Sequence, residues 1–214
     1  MAYSPPSHKD IPVNMQLANS KAQYGAGPQL LHWLTALFVI CGWLLGTFHD
    51  DLPKGTIRNA ALLAHMTLGE GVVLLLIARL VWRMANPPPP PEPTRFGFLQ
   101  QAVATLTHYT LYALLVAVPF FGVLVQLKRG NALPVFGLWD ALSPWPVDKA
   151  LARTLLGVHE FLADALLLLA GAHAAAALMH HYVFEDRTLS RMLPAVVRPA
   201  RRRRKPRSVP AVSP

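Results

Sequence analysis

Charge is scarce in this 214-residue sequence: only 14% of its residues are Asp, Glu, Lys or Arg, against roughly 25% in an ordinary soluble domain. That shortage excludes a water-facing globular surface over most of the chain. With 53% hydrophobic residues and a mean hydropathy of +0.32, it points to a membrane. Cysteine is nearly absent. Cys41 stands alone within an apolar run, which excludes an internal disulfide, a CxxC redox pair, an iron–sulfur cluster and covalent haem attachment through CxxCH. Residues 1–27 lack an apolar run, so no cleavable signal peptide is expected; they read as a polar, mobile tail.

What the sequence does contain is four apolar segments: Pro28 to Phe48, Thr56 to Trp82, about Phe98 to Gln126 and about Ala150 to Tyr182. Each is long enough to cross a hydrocarbon core of about 30 Å. The expected architecture is all-α, an integral membrane four-helix bundle over residues 28–194, with an N-terminal tail of 1–27 and a basic C-terminal tail of 195–214. The run NPPPPPEP, Asn86 to Pro93, cannot be helix and reads as an extended connector between the second and third spans. Pro119 is expected to kink the third. In the loop from Leu127 to about Lys149, Trp139 and Trp145 suit an interfacial aromatic belt.

Four spans put both termini on one side. That side carries Lys9, Lys21, Arg79, Arg83, Arg95 and the nine Lys or Arg residues after position 182; the other carries Lys54, Arg58, Lys128, Arg129, Lys149 and Arg153. The bias predicts cytoplasmic termini. The Arg201–Lys205 run, beside a span, suits anionic lipid headgroups better than nucleic acid.

Within HEFLADALLLLAGAH, His159 and His173 are fourteen residues apart. On a helix that is about 21 Å of rise and nearly four turns, so both imidazoles share a face. Ionisable groups inside a span mark functional sites. Following the direction of each span pairs His32 with His173 in depth, and His65 with His159. Two facing imidazoles suit axial ligation of a haem, whereas zinc or copper needs three or four converging ligands. Small residues flank them: Ala170, Gly171 and Ala172 beside His173, and Ala60, Ala61, Ala64, Gly69 and Gly71 around His65. These residues also allow close helix packing. His108 has no evident partner and is a candidate for binding a haem propionate, lining a pocket or a structural bond. His180 and His181, at the terminus end of the fourth span, are candidates for protonating a reduced quinone, since imidazole titrates near pH 6.5. Glu160 and Asp164 are candidates for hydrogen-bonding networks, and Arg79 and Arg83 for propionate neutralisation or helix anchoring.

LLHW, AHMTLG and THYTLY in the first three spans, RGN followed by FGL in the third loop, and HEFLA and GAHAAAALMHHY in the fourth span occur in one order. In these motifs the chain, from about Tyr24 to Pro194, resembles the prokaryotic cytochrome b561 family. The resemblance implies two haems b (protohaem IX) ligated by His32, His65, His159 and His173, and electron exchange with the quinone pool of a bacterial inner membrane. One branch of that family oxidises superoxide on the periplasmic side and passes the electron to ubiquinone. The expected function is therefore superoxide:ubiquinone oxidoreductase, with lipid, ubiquinone and superoxide as partners and no nucleic acid. The alternative is an electron-carrier subunit fed by a periplasmic dehydrogenase, hydrogenase or c-type cytochrome; a cofactor-free transporter or scaffold is a third reading. The outer loops offer the six cations named above to an anionic substrate, although Asp50, Asp51, Asp140 and Asp148 reduce that face to +2. The long basic tail, the polyproline connector and the long N-terminus depart from the family pattern.

Overall fold

The structure, a computed structural model, describes residues 16–20, 23–91 and 97–194. The first fifteen residues, the end of the polyproline connector and the basic tail lie outside the described residues. Four helices dominate: α1 (Ala26–Phe48), α2 (Thr56–Ala85), α3 (Gly97–Arg129) and α4 (Lys149–Tyr182). All four are long and apolar enough to cross a membrane, and large apolar side chains such as Leu74, Phe120 and Leu168 face outward along them. α2 and α3 run three residues past the apolar segments read from sequence, to Ala85 and Arg129, and the other helix ends agree within two residues. Asp148 fixes the start of α4, its side chain accepting from the Leu151 N–H at 2.9 Å, which satisfies one of the orphan donors of the first turn.

α1 packs closely on α2, and α3 on α4, while contact between the two helical hairpins is sparse. Phe38 is seated directly over Gly71, where a Cβ would lie 2.6 Å from its ring, so the α1–α2 approach depends on the missing side chain. A small buried cluster of Val72 and Leu76 from α2, Leu115 from α3 and Leu166 from α4 joins the hairpins, with Phe38 and Val39 of α1 against it. Leu166 is seven residues from both His159 and His173, so this apolar plug lies midway between the two histidine levels.

The third loop contains what sequence reading missed, a hairpin of β1 (Leu133–Val135) and β2 (Trp139–Ala141) in antiparallel register. Its tip has positive φ at Phe136 and Gly137 (49° and 68°) and a Leu138 N–H to Val135 carbonyl bond of 2.9 Å. These are the features of a type I′ turn, which matches the twist of the strands. Phe136 is unusual there, and its N–H is held by Glu70 Oε2 of α2 at 2.6 Å. Trp139 is exposed on β2, and the Trp145 ring lies under Lys128 Nζ at 5.3 Å.

The end of the bundle that carries the termini is tied together. Residues 16–20 are docked: the Gln16 and Leu17 carbonyls accept from Ala26 and Gly27 of α1, and Asn19 Nδ2 donates to the Asn86 carbonyl at 3.0 Å. After α4 the chain turns back across this end, where Gln29 Nε2 donates to the Arg191 carbonyl and Trp33 Nε1 to that of Met192, at 3.2 and 2.9 Å.

Candidate functional site

The two depth-matched pairs expected from sequence meet across the cleft between the helical hairpins. His32 of α1 faces His173 of α4 with ring centroids 6.4 Å apart, and His65 of α2 faces His159 of α4 at 6.0 Å. A metal–nitrogen bond of about 2.0–2.1 Å on each side, plus about 1 Å from nitrogen to ring centre, calls for roughly 6 Å. Both pairs match it. They are also the right number: among the described residues no group of three or more His, Cys, Asp or Glu could hold a bare metal ion.

The pair nearer the hairpin end is built with care. His65 Nδ1 lies 2.8 Å from the Gly42 carbonyl of α1, and His159 Nδ1 lies 2.9 Å from the Val118 carbonyl of α3. A carbonyl accepts only, so each Nδ1 must carry the proton and each Nε2 keeps its lone pair for a metal. Glycine makes the approach possible. A Cβ on Gly46 would sit 2.8 Å from His65 Cε1, and one on Gly122 would sit 3.1 Å from His159 Cε1. Each ring is thus cradled by a carbonyl and by the residue one turn further along the same neighbouring helix. Sequence reading had attributed the small residues to space near the ligands, but missed these two glycines because they stand on other helices.

His32 and His173 have no such backbone partner among the described residues. They have a different neighbour, His108 of α3, whose ring centroid is 5.2 Å from that of His173; the histidine that lacked a partner in sequence joins the inner pair. Arg79 of α2, stacked on Tyr112 at 5.4 Å, acts electrostatically on all three imidazoles, and Arg83 acts on His108. An open groove of about 590 Å³ between α1 and α4 is lined by Trp43, Asp164, Gly171, Ala172 and Ala175. Trp43 Nε1 donates to Asp164 Oδ1 at 2.7 Å across it, whereas Glu160 has no hydrogen bond or ion pair among the described residues. The donor set and the ring spacing fit haem.

At the terminus end, His180 sits between Gln100 of α3 and Asp186 of the turn after α4, at 2.9 and 2.5 Å. Burial favours the neutral acid of Asp186, but hydrogen bonds from His180 and the Thr188 N–H outweigh it and hold the carboxyl below its ordinary value of 3.8. His181 has a buried Nδ1 with no hydrogen-bond partner among the described residues. At the opposite end, Arg129, Asn131, Lys149 and Arg153 line a cavity of about 480 Å³ with Ala152 and Leu156. Of the other cations at this end, Arg58 is bound to Asp50 at 3.3 Å and Lys128 is stacked on Trp145.

Comparison with known proteins identifies relatives of this chain. Residues 23–195 match the model of a family described as prokaryotic cytochrome b561. Among similar proteins, cytochrome b561 homolog 2 of Escherichia coli is 32% identical over 181 residues, spanning 84% of this chain and 95% of its own. The probable superoxide oxidase CybB of Yersinia pestis is 32% identical over 170 residues, 77% and 92% of the two chains. Cytochrome b562 of Cereibacter sphaeroides is 27% identical over 168 residues, 76% and 90%.

Proposed function

The chain belongs to the prokaryotic cytochrome b561 family, a family of bacterial membrane electron-transfer proteins that bind b-type haem, and from that premise we propose that it is a superoxide:ubiquinone oxidoreductase. The observation that carries the proposal is the two histidine pairs, spaced 6.0 and 6.4 Å across the cleft at two depths. His65 and His159 would hold one haem, and His32 and His173 the other. When bound, haem b supplies one-electron chemistry. His159 and His173 lie about 21 Å apart along α4, with the apolar Val72–Leu76–Leu115–Leu166 cluster between their levels.

The Lys and Arg bias supports cytoplasmic termini, which puts the cavity of Arg129, Lys149 and Arg153 on the periplasmic face. Three cations around one cavity attract a small anion, and Leu156 on its wall is three residues from His159. Two superoxide anions each lose one electron and leave as dioxygen; ubiquinone gains those two electrons and two protons and leaves as ubiquinol. His180 suits delivery of the protons on the cytoplasmic side. Its Nδ1–H is held by Asp186 and its Nε2 accepts from Gln100, so it is oriented by both neighbours at the membrane surface. The relative named as a probable superoxide oxidase supports this choice of donor.

The experiment is a superoxide pulse on purified protein followed at the haem α-band, then addition of ubiquinone. We expect rapid reduction that ubiquinone reverses, and about a ten-fold or greater slowing when Arg129, Lys149 and Arg153 are all replaced by Gln. Haem that superoxide leaves oxidised would contradict the proposal and favour a carrier fed by a periplasmic redox partner.

A further inference from the structure

The two histidine pairs are built differently, and the hydrogen bonds at one pair and the arginine acting on the other work in the same direction. In the His65–His159 pair both Nδ1 atoms donate to backbone carbonyls, at 2.8 and 2.9 Å. Such a bond makes the imidazole a stronger electron donor to iron, which favours the ferric state. The His32–His173 pair has no equivalent bonds among the described residues. It has Arg79 instead, which acts electrostatically on both imidazoles, and a nearby positive charge favours the reduced iron.

Carboxyl groups are arranged the opposite way. Glu70 is five residues past His65 on α2, and Asp164 five residues past His159 on α4, while Glu160 adjoins His159 directly. Arg79 and Arg83 follow at the far end of α2. Within the apolar slab each charge acts strongly, whereas Arg129, Lys149 and Arg153 line an open cavity at the periplasmic surface, where solvent and salt screen them. His49 also acts on His65 with the opposing sign when protonated, but it adjoins Asp50 at 3.7 Å.

We infer that the Gly42 and Val118 carbonyls and the Arg79 guanidinium set a potential step, making the His65–His159 haem the lower-potential of the two. Electrons delivered at the periplasmic face then run downhill toward the terminus end. Gly46, Gly122 and Arg79 are positioning residues: they act through the ligands and their field. The inference rests on the ligand assignment above and adds the order of the two potentials.

A spectroelectrochemical titration of the purified holoprotein tests it, with the haem content of each sample counted as pyridine haemochrome. Wild type is expected to show two one-electron transitions. Gly46→Ala, whose new Cβ pushes His65 away from Gly42, should raise the lower transition and leave the upper in place. Arg79→Gln should lower the upper and leave the lower in place. Two coincident transitions in wild type, or each variant moving the other transition, would overturn the potential step while two haems per chain leave the ligand assignment standing. If Gly46→Ala instead sheds one haem, the survivor should titrate at the upper potential; survival at the lower would overturn the inference. Fewer than two haems in wild type would overturn both readings.

Discussion

At the scale of single residues, the chemistry is decided by what each imidazole is bonded to. His159, His173, His32 and His65 were legible as a set because an ionisable group within a span is costly and because helix geometry converts sequence distance into depth. The Gly42 and Val118 carbonyls were not legible, since every residue has a carbonyl and only the packing of a second helix selects one. His108 was unassigned for a related reason: its proximity to His173 depends on how α3 lies against α4. The His180–Asp186 bond carries its own expectation. Asp186 is depressed below 3.8 in the folded protein, so the stability it contributes is present above that value and is lost as pH falls through the lower, folded-state one. The turn after α4 should thus remain anchored at neutral pH, while Asp186→Asn should loosen it there. Proteolysis of residues 183–193 in reconstituted protein at pH 7 reads this directly; equal resistance in both proteins would contradict it.

At the scale of elements, the four spans were readable almost to their ends, because length and apolarity are properties of the sequence itself. The β1–β2 hairpin was not. Its strands have three residues each, too short for alternation to register, and its turn places Phe136 at a positive φ, where a bulky residue gives no signal. Glu70, 66 residues earlier on α2, supplies the compensating bond. The central plug is the other element-scale feature. Leu166 is buried against α2 and α3, and Leu166→Ala should destabilise the bundle by about 2 kcal/mol, the low end for such a truncation, since lipid removes part of the solvent-transfer contribution. Thermal unfolding in detergent, followed by loss of the haem band, measures it; an unchanged midpoint would mean that the plug bears no packing load.

At the scale of the whole molecule, two tightly packed helical hairpins enclose a cleft that the histidines bridge at two levels. Among the described residues few side chains are buried, and the hairpins meet through a small apolar cluster at mid-depth with a histidine pair on either side. The charge bias predicts cytoplasmic termini, and a reporter fused after Pro214 should therefore behave as cytoplasmic. A fluorescent protein that folds only there would be bright and an alkaline phosphatase inactive; the reverse would exchange the donor and quinone faces. The most direct test of the central claim is the haem count in wild type beside His173→Ala and His159→Ala. Two haems b per chain, falling to one in each variant, is the expected result. No haem in wild type, or two retained in either variant, would contradict the assignment of the histidine pairs as ligands.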